Sequence, residues 1–318
     1  MISDFLRLLP IVVPIFAVML AGYGMRKAGV LTAEADRSLT RVVIVLLVPC
    51  LAFDAIIGNE ALLIPANWLL PPIAGFGSVL LGIAVARLGV FLFRLPNGPV
   101  ARTFAFTSSL QNYGYIPLPL CAAIFPRDTL GVLFAFSLGV ELAFWTVALW
   151  QLTGGGNRKG WKSAINPPML AIVAALVING WLGSRLVPDA LDTTFHMLGV
   201  CAVPMALLLS GGLIADHLRR DAFSHGWRVV GASVFVRILA VPAVLLLIVR
   251  ALPLDDKLCS VTILQAAMPA AIFPLVVTKS HHGDIPTALQ VILGTSLVGL
   301  LTIPLWIGLG LRWLGISL

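Results

Sequence analysis

Ten stretches of about twenty apolar residues recur along this chain, and no other feature constrains its fold as strongly. They run near 6–26, 37–58, 69–93, 100–125, 130–151, 165–185, 190–215, 229–251, 257–279 and 286–312. One helix needs roughly 20 such residues to cross the hydrocarbon core of a bilayer, so each run predicts a span. Only 11% of the residues are charged and the mean hydropathy is +1.01, whereas soluble domains carry about 25% charged residues. A chain so poor in charge cannot clothe its own surface in water. That excludes a soluble enzyme, a disordered chain, a fibre and a disulfide-rich secreted domain. The expected fold class is an all-α polytopic membrane protein with ten transmembrane helices.

The formal net charge of +7 sits in short gaps between the apolar runs. It therefore reads as an orientation signal, and no nucleic-acid partner is expected. The loops joining spans 1–2, 3–4, 5–6, 7–8 and 9–10, with the adjoining helix ends, hold fourteen of the 21 Lys and Arg residues. The opposite side holds six, and Arg237 lies inside a span. The positive-inside rule then puts the fourteen in the cytoplasm and both termini outside. The first run has no evident cleavage site and is read as a retained span. The four cysteines lack metal-ligand spacing and read as packing residues. His281-His282-Gly283-Asp284 offers too few ligands for zinc and reads as a solvated turn, so no metal site is expected.

The halves of the chain repeat at an offset of 155 positions. Val48-Pro49 answers to Val203-Pro204, Arg102 to Lys257, Thr107 to Thr262, and Pro119-Leu120 to Pro274-Leu275. Several matches at one offset, each at the same place in its run, indicate two five-helix repeats over 1–152 and 165–318. A cytoplasmic linker over 153–164 joins them, centred on Gly154-Gly155-Gly156-Asn157-Arg158-Lys159-Gly160. An odd number of spans inverts the second copy in the membrane, the arrangement of secondary transporters.

Spans 4 and 9 are expected to break near the midplane. Span 4 reads Gln111-Asn112-Tyr113-Gly114-Tyr115-Ile116-Pro117-Leu118-Pro119; its prolines remove backbone donors and push the preceding residues out of helical geometry. Span 9 carries Gln265-Ala266-Ala267-Met268-Pro269-Ala270 at the corresponding level. Paired breaks in inverted repeats point to a transporter's binding site. The expected substrate-binding residues are Gln111, Asn112, Tyr113, Gly114, Tyr115, Pro117, Gln265, Met268, Pro269 and Ala270. The N-termini of the second half-helices suit an anion, above all a carboxylate, while the carbonyl ends of the first halves suit a cation. Two charges lie deep in the bilayer. Glu141 is ~17 Å and Arg237 ~13 Å from the nearer helix start, at 1.5 Å per residue. They read either as an ion pair fixing span 5 to span 8, or as a coupling site and a counter-charge for the substrate. No catalytic motif is present (no His-Glu-x-x-His, paired aspartates or Gly-x-Ser-x-Gly), so an enzyme is not expected.

The residues Pro14-Ile15-Phe16, Gly22-Tyr23-Gly24, Arg26-Lys27-Ala28-Gly29 and Leu47-Val48-Pro49 resemble the auxin efflux carrier family in its compact bacterial form. The span 4 stretch from Gln111 to Pro119, Ala267-Met268-Pro269-Ala270 and Thr302-Ile303-Pro304-Leu305-Trp306 extend the likeness along essentially the whole chain. That family belongs to the superfamily of bile acid, arsenite and riboflavin transporters. The resemblance implies a scaffold of helices 1, 2, 6 and 7, and an elevator-type transport domain of helices 3–5 and 8–10. It further implies a substrate at the crossing of helices 4 and 9, a homodimer through the scaffold, and residence in the bacterial cytoplasmic membrane. The family's substrates range from indole acetic acid to malonate and malate. The expected function is a permease for a small mono- or dicarboxylate working by alternating access, with no cofactor and with Na+ or H+ as the open choice of coupling ion. The alternative is a sodium-coupled symporter of the bile acid type.

Overall fold

The computed structural model describes residues 2–156, 160–182, 187–218 and 226–316. The expected linker residues 157–159, and Arg185, Arg219 and Arg220 of the charge count, lie outside the described residues. The chain forms α1 (Ile2–Lys27), α2 (Ala33–Ile56), α3 (Ala66–Leu92), α4 (Pro99–Ser109), α5 (Pro117–Ile124) and α6 (Arg127–Leu152). It continues as α7 (Pro167–Trp181), α8 (Asp189–His217), α9 (Trp227–Ala251), α10 (Asp256–Ala266), α11 (Phe273–Ser280) and α12 (Ile285–Leu314). Seven of these, α1, α2, α3, α6, α8, α9 and α12, are long and apolar enough to cross a membrane. The shorter α7 and the split pairs α4–α5 and α10–α11 stand where the remaining three spans were expected.

Local chemistry sets the helix ends. Thr32 caps α2 by accepting from Ala35 N at 3.2 Å, Asn166 caps α7 through Met169 N at 3.0 Å, and Asp284 caps α12 through Thr287 N at 2.8 Å. Each satisfies an amide that the first turn leaves unpaired. Pro167 follows the Asn166 cap, where its fixed φ suits a helix start. Inside α2 and α9, π-helical turns at Val43–Leu47 and Val234–Ala240 lie just ahead of Pro49 and Pro242. A widened turn accommodates the donor and the space that proline denies.

The helices pack as two sets. In one, α1 lies along α8, and both α7 and α8 pack on α2. In the other, α3 lies along α6, α4 packs on α3 and α12, and α9 and α10 pack on α12. The main seams between the sets are α1 on α12 and α2 on α6. Within each set, close backbone approaches need glycine. A Cβ on Gly211 of α8 would stand 1.8 Å from Met19 O, and one on Gly139 of α6 would stand 1.8 Å from Pro72 O.

Candidate functional site

The two breaks repair each other. Span 4 leaves helical geometry at Leu110 (φ −99°, ψ 104°) and resumes at Pro117; span 9 is unwound between Ala266 and Phe273. Across the crossing, Asn112 N donates to Pro269 O at 2.8 Å and Ala271 N to Leu110 O at 2.9 Å, an antiparallel bridge centred on Gln111 and Ala270. Ala270 N donates to Thr295 Oγ1 at 3.1 Å. Lipid offers no partner for exposed amides, so each unwound segment supplies the other's.

A cavity of about 240 Å³ lies against this crossing. One wall is the span 4 break, with Asn112, Tyr113, Gly114 and Tyr115. Ser137, Glu141 and Trp145 of α6 form a second wall, and Ala271, Ile272 and Phe273 a third. Ile44 and Val48 of α2, with Ser163 and the start of α7 from Asn166 to Ile172, close the far side. The space therefore sits between the two sets of helices. Trp145 meets Phe273 edge to face, with centroids 6.1 Å apart, giving a flat apolar wall.

Of the ten expected substrate residues, the structure brings Asn112, Tyr113, Gly114 and Tyr115 to the cavity. The others stand behind the wall. Gln111 donates to Ser78 Oγ at 2.9 Å, and Gln265 to Tyr113 O at 3.3 Å. Met268 O accepts from Arg237 and Pro269 O from Asn112 N; Ala270 forms the bridge and Pro117 opens α5. Asn112 lines the cavity, and its Oδ1 accepts from Ile116 N at 3.4 Å.

Glu141 and Arg237 do not form the expected ion pair. Glu141 lines the cavity and accepts from Trp145 Nε1 at 2.7 Å, Asn166 Nδ2 at 2.6 Å and the Tyr113 hydroxyl. Arg237 is fully buried and spends its guanidinium on the carbonyls of Met268, Gln265 and Ala266. Depth along each helix was legible in the sequence; the direction each side chain faces was not. Three neutral donors stabilise the carboxylate without a cation, and the end of α10 draws the guanidinium instead. Among the described residues lining the cavity, Glu141 is the only Asp, Glu, Lys or Arg.

Ser137, Trp145 and Asn166 are site residues that sequence reasoning missed. Asn166-Pro167-Pro168 reads as a helix start, but only folding brings that cap to Glu141. His281 and Asp284 sit in a turn, Asp284 capping α12, and no group of three metal-ligating side chains occurs among the described residues.

The sequence model of a family described as membrane transport protein matches residues 8–159 and, a second time, 156–307. The chain belongs to this family, that of the auxin efflux carriers. The double match agrees with two repeats in one chain. The protein is 26% identical over 300 residues to an uncharacterized transporter of Methanothermobacter thermautotrophicus, covering 93% of this chain and 96% of the relative. It is 24% identical over 305 residues to an uncharacterized transporter of Methanocaldococcus jannaschii, with the same coverage. The protein is thus a multi-pass membrane transport protein.

Proposed function

We propose that this protein is a secondary carrier of small organic carboxylates, moving a mono- or dicarboxylate across the cytoplasmic membrane by alternating access. The observation that carries the reading is Asn112 lining a cavity at the crossing of the two broken spans with its acceptor already engaged, so that its amide N–H groups are the donors it can give a ligand. Neutral donors bind a carboxylate without the excess strength that would slow its release, and Trp145 with Phe273 offers a surface for an apolar body. The set α1, α2, α7 and α8 is the scaffold, through which two copies pair. The remaining helices carry the site in an elevator-like displacement, with both termini outside.

The Glu141 oxygens face N–H and O–H donors, an arrangement that suits a carboxylate and opposes a metal cation at that side chain. The test is the melting temperature of the purified protein against a panel of mono- and dicarboxylates. A saturable rise with at least one acid is expected; no rise with any acid overturns the reading.

A further inference from the structure

Arg237 has no task in the mechanism just proposed, yet it is the largest fully buried side chain in the described protein. Its Nε donates to Met268 O at 2.9 Å, and its Nη2 to Gln265 O at 3.1 Å and Ala266 O at 3.4 Å. These carbonyls belong to the last turn of α10 and the break that follows it. They form the negative end of a half-helix dipole near the midplane. In carriers with broken helices, carbonyls of this kind are where a coupling cation binds. Here a full positive charge already lies on them, and it is covalently attached.

The first repeat handles the corresponding place differently. At the repeat offset of 155, position 237 answers to position 82, which is Gly82. That glycine presses on the end of α4, where a Cβ would stand 2.7 Å from Ser109 O. A glycine brings no charge to that place. The guanidinium is therefore an addition to the second repeat and not a consequence of the repeated architecture. Three of its donor contacts go to these carbonyls, while Nη1 is buried without a partner.

We infer that the carbonyl cluster at the end of α10 is a cation site occupied by the chain's own guanidinium, so that this carrier operates without Na+. A tethered cation balances the helix end in every conformation and cannot leave with the substrate. The sodium-coupled alternative then loses this place at the crossing for its ion. The inference rests on reading the chain as a carrier, but its test uses melting temperature and holds whichever solute is moved.

The test compares the full-length protein in NaCl and in choline chloride at equal ionic strength, and then the Arg237→Ala variant with and without millimolar guanidinium. The wild type is expected to melt at the same temperature in both salts. Arg237→Ala should melt roughly 5–10 °C lower, having left buried carbonyls without their donor. Guanidinium should recover part of that loss in a saturable way while leaving the wild type unmoved. A saturable rise of the wild type in NaCl would overturn the inference, as would an Arg237→Ala protein that melts with the wild type or ignores guanidinium. If Arg237→Ala does not accumulate, Arg237→Lys takes its place: retained indifference to Na+ supports the inference, and a gain of Na+ stabilisation contradicts it.

Discussion

Asn112 serves two neighbours with one amide. Its oxygen receives Ile116 N at 3.4 Å at the start of α5, and the residue lines the cavity, where its N–H groups remain to serve a ligand. Replacing it with alanine should weaken carboxylate binding by about 1–3 kcal/mol, the loss expected for a hydrogen bond to a charged acceptor. Calorimetry with the acid that best raises the melting temperature checks this. Arg127→Ala is the contrast: its ion pair with Asp54 at 3.1 Å is solvent-exposed on the arginine side, so affinity should stay within a few tenths of a kcal/mol. Glu141 yields a second prediction. Glu141→Gln keeps the side chain's shape and removes the acid from the cavity wall, so affinity for an organic anion should rise in the same calorimetric measurement. Unchanged affinity would place the anion away from Glu141. Part of this site was legible in the sequence because Gly114, Pro117 and Pro119 mark a break by their own backbone chemistry. Asn166, Ser137 and Trp145 carry no such local mark, and their place depends on how α6 and α7 meet.

Among the elements, the crossing and the glycine seams decide whether the site exists. The sequence shows where spans 4 and 9 must unwind, since proline and glycine act locally. It does not show that the two segments hydrogen-bond each other through Asn112 N and Ala271 N, because that pairing joins residues far apart in the chain. This pairing also uses amides that would otherwise be free for a ligand, which shifts the weight of recognition to the Asn112 side chain. The α3–α6 seam gives a third prediction. Gly139→Ala places a Cβ 1.8 Å from Pro72 O, so the two helices must part, and the loss should reach or exceed the ~1–3 kcal/mol typical of overpacking. Gly77→Ala, on the same α3 but with open space around it, should be neutral or gain about 0.5–1 kcal/mol from helix propensity. Melting temperatures of the two variants check the contrast, and equal effects would contradict the packing described.

At the scale of the whole molecule, the hydropathy pattern and the repeat offset carry most of the architecture, because a bilayer forces apolar runs into helices whatever their neighbours. Which helices pack into which set is not a local property. It is decided by contacts such as Gly211 against Met19 and Gly139 against Pro72. The inverted arrangement predicts a labelling pattern. In a chain with its four cysteines replaced, Gly156→Cys should react with an impermeant reagent only from the cytoplasm, and Leu63→Cys only from outside. Reaction of both from one side would contradict the topology. The central claim, that an organic carboxylate crosses the membrane through the cavity at the crossing, is tested most directly by counterflow in proteoliposomes. Vesicles loaded with an unlabelled acid that stabilises the protein should accumulate the same labelled acid from outside far faster than unloaded ones. Asn112→Ala vesicles with equal protein content should lose most of that acceleration. Counterflow absent for every stabilising acid, or undiminished in Asn112→Ala, would contradict the account.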